Sequence, residues 1–333
     1  MTDSRPSQYF FYHFWILRFL GLGWWHQPAE GKTSNFSGWY LYYSVFTQVF
    51  IVAGFVIMET IDPFVGERDE DQFMFCLAFI ITDNFTLLKM SIFFFKNVDI
   101  QYIVRTLEIE LYNYYQNISK IRETIKLSKI ITGAFLFFGW LTIGNGHVNG
   151  TIQDIKWKSL LATLNDTSLY PVRTLPQSIY IPWDYQKDSS YIPIFVFETI
   201  GLLWTGHVVM IIDTFIASVT LHMSSQFEIL NEAITTAYDR TMASLCEGIH
   251  PDVLQERQSL LLSAEENNEM IVQYLVPKED IEAALETTFR NCYRQHQLLI
   301  NCAEKFSRTY SYGFMTQLLA SSAAICVVMV QVS

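Results

Sequence analysis

Few side chains in this sequence have the types and spacing that chemistry requires. Five cysteines, at positions 76, 246, 292, 302 and 326, show no C-x-x-C spacing, so neither a zinc site nor a disulfide framework is indicated. His207 and Asp213 lie six residues apart, on roughly opposite sides of a helix, and are poor partners for one metal ion. No phosphate loop, G-x-G-x-x-G, H-E-x-x-H or G-x-S-x-G is present, which points away from an enzyme and toward no cofactor and no metal. The ionisable residues of interest are those embedded in long apolar runs: Asp83, Lys89, Glu198 and Asp213. Charge in hydrocarbon is costly, so such groups must face protein or water. Asp83 and Lys89 either form a pore or ligand site, or Lys89 snorkels toward water while Asp83 pairs with a neighbouring helix; the second reading is favoured. Glu198 either orients a ligand or caps local packing. Asp213 reads as structural, and Phe135, Phe137, Phe138 and Trp140 read as lipid-facing or core residues, with one or two lining a cavity.

The elements that carry these residues are membrane spans. Half of the 333 residues are apolar, 16% are aromatic and only 17% are charged, against about 25% charged in soluble domains. The apolar residues cluster into runs separated by charged segments, which predicts an all-α, polytopic helical membrane protein. A net charge of −11 excludes a nucleic-acid surface, which needs clustered Lys and Arg. Residues 1–38 form a first segment, in which Tyr9–Trp25 holds His13 and Arg18 and is short for a crossing. With no small-x-small cleavage site after it, it reads as an interfacial helix with Trp15, Trp24 and Trp25 at headgroup depth, in preference to a secretory signal. Residues 39–333 form the transmembrane domain. About five spans are expected, at 39–58, 73–95, 130–148, 191–221 and 313–332, and the fourth is long enough to tilt or project. Between the last two lies a polar helical extension, 222–308, interrupted at Gly248–Pro251, with a further helix start at Pro277 to Glu279.

Loop charge gives the orientation. Residues 59–72 hold six acids and one Arg, whereas residues 96–129 hold Lys96, Arg105, Lys120, Arg122, Lys126 and Lys129. The positive-inside rule places the second loop and the amino terminus in the cytoplasm, and alternation of the spans then puts the 222–308 extension there. It places 149–190 outside, where the sequons Asn149-Gly150-Thr151 and Asn165-Asp166-Thr167 are glycosylation candidates.

The order of several local motifs resembles the insect odorant receptor family. Phe14-Trp15-Ile16-Leu17-Arg18-Phe19-Leu20-Gly21-Leu22 is similar to the family's aromatic and Leu-Gly opening. Ile181-Pro182-Trp183-Asp184, followed by Tyr191-Ile192-Pro193, is similar to the Pro-aromatic-Asp lead into the fourth span. His296–Leu299, Glu304-Lys305-Phe306-Ser307, Gln317-Leu318-Leu319 and Ile325-Cys326 resemble the approach to the fifth span. The resemblance implies a ligand-gated cation channel subunit of seven helices. It would bind a small volatile ligand, assemble with a co-receptor in a tetramer, and act in the plasma membrane of olfactory sensory neurons. It also implies two spans beyond Ser333, one lining the ion path, so the sequence as given reads as truncated and is not expected to conduct. In the outer halves of the spans the implied pocket candidates are Cys76, Phe79, Ile80 and Asp83 from the second, Trp140, Leu141 and Gly144 from the third, and Phe195, Glu198, Thr199 and Leu202 from the fourth.

A gustatory receptor shares this topology and is the nearest alternative; the Pro-aromatic-Asp lead favours the odorant branch. A multi-span transporter predicts inverted repeats and broken helices, and no internal repeat is visible. A G-protein-coupled receptor requires the opposite orientation.

Overall fold

A computed structural model describes residues 9–23, 38–65, 70–114, 117–163, 173, 175–247 and 276–332, all helix and connection with no strand among them. Helix α1 is Phe11–Phe19. A continuous helical rod follows, made of α2 (Gly38–Val45), a π-helical stretch (Phe46–Ala53) and α3 (Gly54–Val65). Next come α4 (Glu70–Phe95), α5 (Asn97–Arg105), α6 (Ile118–Thr163), α7 (Asp188–Thr235), α8 (Ala237–Glu247) and α9 (Lys278–Val332). Among the described residues, Trp39–Val65, Ile118–Thr163 and Asp188–Thr235 are long and apolar enough to cross a membrane. The 46 residues of α6 run roughly 69 Å at about 1.5 Å per residue, more than twice an apolar core about 30 Å thick, so much of this helix projects beyond it.

One boundary differs from the sequence reading. The first long helix does not stop at Met58 but continues through Val65, carrying Pro63 near its end. Glu59 and Asp62, counted above as loop acids, are helical and buried. Their charge suggested a loop; their packing against neighbouring elements overrides it.

The chain divides into two compact units, the first comprising residues 1–101, 127–218 and 306–333. Here α1 buries His13 and Leu17, with its N-cap residue Phe10 also buried, and exposes Trp15 and Phe19. Phe10, Phe14 and Phe93 surround Phe215 with ring centroids 5.4, 5.8 and 5.5 Å away. His13 Nε2 meets the Thr132 hydroxyl at 3.2 Å. The carboxyl end of α1 closes with Gly21 at φ +83°. Leu22 donates to Leu17 and Gly21 to Arg18, the paired bonds of a Schellman ending that glycine adopts without Cβ strain. Side chains of the following rod then cover the last carbonyls: Tyr40 donates to Arg18 O and Tyr43 to Phe19 O, while Gln48 donates to Leu20 O and Ser44 to Gly21 O. Helix-end carbonyls have no intrahelical partner, and where water is scarce another element must supply donors.

The second unit comprises residues 102–126 and 219–305. Asn117 caps α6, accepting from the Lys120 amide at 3.0 Å, as an N-cap side chain does. The same Asn donates to Glu232 at 2.9 Å. Lys120 pairs with Glu228 at 2.5 Å and Thr124 donates to Ser225 at 2.9 Å, a polar seam between α6 and α7. Helix α9 begins at Lys278, as the sequence predicts, and packs Ile281 and Leu285 against Met242 and Leu245 of α8.

Candidate functional site

Three carboxyl groups converge in the first unit from three helices. Glu59 comes from α3, Asp83 from α4 and Glu198 from α7, and they are 1%, 7% and 0% exposed. Each stands on a helix face turned inward, where the preceding neighbours at three- and four-residue spacing are apolar: Phe55 and Val56, Phe79 and Ile80, Ile194 and Phe195. Asp83 follows Cys76 and Ile80 on one face of α4, all buried. Glu198 follows Tyr191 and Ile194 on α7. The Asp83 and Glu59 carboxyls lie close enough to act on one another electrostatically.

The connector between α6 and α7 completes the site. Gln177 donates through its side chain to Glu59 and through its backbone amide to Glu198, tying two of the acids together. Tyr180 donates its amide to Met58 O at 3.0 Å. Ile179 packs with Phe55, Val56 and Ile194, backed by Leu87, Leu175, Ile181, Phe197 and Leu202. The helices approach closely because position 201 is glycine: a Cβ there would stand 2.5 Å from the Phe55 ring. Beside this apolar wall Asn84 donates to the Thr60 hydroxyl at 2.8 Å. The result is an apolar surface set with a small polar group, an arrangement suited to burying a small apolar molecule and orienting one polar function on it. Among the described residues no group of three His, Cys, Asp or Glu side chains is arranged to hold a metal ion.

The sequence candidates divide in two. Cys76, Ile80, Asp83, Glu198 and Leu202 fall in or against this site, with Phe79, Phe195 and Thr199 half-buried on the same two helices. Trp140, Leu141 and Gly144 of α6 are exposed. Trp140 lies edge-on to His207 with centroids 5.1 Å apart, and nothing lies within 4 Å of a Cβ built at Gly144. Lys89 does not snorkel but pairs with Asp213 at 2.7 Å, a contact 124 residues apart in sequence. Sequence reasoning missed Glu59, Gln177, Ile179 and Phe55. The one available signal was Glu59, an acid directly abutting an uncharged apolar run.

The family described as 7tm Odorant receptor matches residues 69–333. The chain belongs to this family. No curated protein matches the odorant-receptor chain. Among solved structures, the insect olfactory receptor OR5 from Machilis hrabei is similar, with a TM-score of 0.63 and 16% identity over 96% of this chain and 69% of that one. The same receptor in complex with eugenol is similar with a TM-score of 0.61, 16% identity and the same coverage. At that identity the likeness shows the fold. The protein is thus an odorant receptor with a multi-pass helical membrane fold, and its family and fold are of a receptor kind, not an enzyme kind.

Proposed function

We propose that this receptor binds a small volatile organic molecule at the α3–α4–α7 site and, as one subunit beside a co-receptor, gates a cation channel in olfactory transduction. The observation that carries the binding part is the convergence of buried apolar residues with Gln177 and the three acids in a member of the odorant receptor family. OR5 has been solved with eugenol bound, which makes eugenol the natural first probe. Burial of apolar ligand surface contributes about 25 cal/mol per Å², and the polar group selects among ligands of similar size. The ligand opens the channel only to the extent that it binds the open state more tightly.

The topology that accompanies this proposal has a cytoplasmic amino terminus and an outer segment, 149–190, that begins within α6 at Asn149, in the plasma membrane of olfactory sensory neurons. Two measurements test the function. A panel of volatiles, eugenol included, should slow thiol labelling of the buried Cys76 in the receptor held in lipid nanodiscs; a panel without effect sinks the binding site. Co-expression with a co-receptor should yield a complex that co-purifies, and failure to co-purify sinks the subunit reading.

A further inference from the structure

We propose that Arg173 is a positioning residue that holds the 175–187 connector closed over the α3–α4–α7 site, acting through Gln177; the inference deepens the ligand-site reading above and rests on it. Arg173 is 1% exposed although it belongs to a connection between helices, where a guanidinium is ordinarily solvated. Its Nε donates to Asp154 Oδ1 of α6 at 2.7 Å, and its Nη2 lies 2.8 Å from Asp188 Oδ1 at the start of α7. The guanidinium stands 3.5 Å from the Tyr191 ring centroid and 4.7 Å from that of Trp157, contacts in which a planar cation is favoured over an ammonium. Lys158 reinforces both acids, 3.1 Å from Asp154 and 3.4 Å from Asp188.

The same residue joins the two ends of the connector. The Arg173 amide donates to Gln186 Oε1 at 2.8 Å and its Nη1 to Gln186 O at 3.3 Å. A chain segment whose ends are fastened side by side is shaped by what its middle touches. The chain between those ends touches the site: Gln177 reaches Glu59 and Glu198, and Tyr180 reaches Met58. Near the start of the connector Pro176 is pressed on Gly150 of α6, where a Cβ would come within 2.5 Å of the proline Cβ and 2.8 Å of its Cα. Fastening at 173–186 therefore sets where Gln177 meets the acids and how long the connector remains away from them once it opens.

The test reads accessibility and needs no ligand. The full chain in lipid nanodiscs, open to solvent on both faces, is treated with methyl methanethiosulfonate and the labelling rate of each cysteine is followed by mass spectrometry. Cys76, whose thiol lies close enough to Glu59 to act on it electrostatically, reports on the site. Cys292 and Cys302, buried in the second unit, report on general loosening. Arg173→Gln should label Cys76 about tenfold faster, the effect of making a local opening one decade easier, with Cys292 and Cys302 unchanged. Gly150→Val, which removes no charge and retains the chain outside the site, should do the same by displacing Pro176. Gln177→Ala should also speed Cys76, and Arg173→Gln added to it should give no further increase, since residues acting through one another are non-additive. An unchanged Cys76 rate in Arg173→Gln overturns the proposal. So does acceleration of all three thiols together, or multiplication of the Arg173 and Gln177 effects. If the variants behave as expected while no volatile slows Cys76 in the parent chain, the connector stands and the odorant site fails.

Discussion

At the scale of single residues, burial separates side chains of identical type. Of the cysteines, Cys76, Cys292 and Cys302 are buried and Cys326 is exposed. Burial pushes the Cys302 thiol up to about 12, with Glu110 adding to the effect, and only the thiolate is nucleophilic. At pH 8 Cys302 should therefore alkylate far more slowly than Cys326, by about three decades or more from thiolate fraction and access combined; comparable rates would refute the burial. The acids that hold Arg173 behave oppositely. Hydrogen bonding from Arg173 keeps the Asp188 carboxyl below its ordinary range, and although burial opposes it, hydrogen bonds from Arg173 and Lys158 do the same for Asp154. A depressed carboxyl pKa contributes stability that is fully present above the unfolded value near 3.9 and lost as pH falls through the folded value. Protonating Asp154 and Asp188 should thus make Cys76 labelling, corrected for thiolate fraction, rise as pH falls below about 4. No rise below about pH 4 would contradict the assignment. The acids Asp83 and Glu198 were legible in the sequence because ionisable groups in apolar runs are conspicuous. Arg173 and Gln177 were not, since their spacing carries no period and their importance arises from contacts made in folding.

At the scale of elements, glycines and ion pairs show where the helices of the first unit meet. A Cβ at position 201 runs into the Phe55 ring, whereas one at position 144 meets nothing. Gly201→Ala should destabilise the receptor by about 1–3 kcal/mol, the range for overpacking, while Gly144→Ala should be neutral or gain up to about 1 kcal/mol of helix propensity. Thermal midpoints in one detergent decide this, and equal shifts would show that α7 does not pack on α3 at Gly201. The Lys89–Asp213 pair joins α4 to α7, with the lysine nearly inaccessible and the aspartate a quarter exposed. Lys89→Met alone strands Asp213 and should cost about 3 kcal/mol, the low end for breaking a buried pair. Adding Asp213→Leu should recover most of it, because an apolar pair of similar volume avoids the desolvation penalty. No recovery would argue for a specific role of the charges. Helix type and order were readable from the apolar runs, but their ends were not. The apolar stretch of α6 spans 130–148, yet the helix covers Ile118–Thr163, since its polar ends are held by contacts such as Asn117 with Glu232 that no local period encodes. Inward faces were equally unreadable, because a span apolar all round has no preferred side in sequence. That is why Trp140, Leu141 and Gly144 were grouped with residues they do not join.

At the scale of the whole molecule, the odorant receptor assignment rests on the family match over residues 69–333, and the motif order in the sequence pointed to the same family. Orientation is a separate proposal with its own test. Glycosylation mapping should find sugar at Asn149, exposed on α6, and none at Asn35; the reverse pattern would sink a cytoplasmic amino terminus. Asn165, the other candidate, lies outside the described residues, as do Trp24 and Trp25. The capped end of α1 bears on how this protein can be recombined with its relatives. Four residues of one segment, Tyr40, Tyr43, Ser44 and Gln48, terminate the backbone of another. The two therefore form a single inheritable cassette: a chimera that exchanges residues 1–25 alone would leave bare carbonyls facing foreign side chains, whereas one cut after Val65 would carry lock and key together.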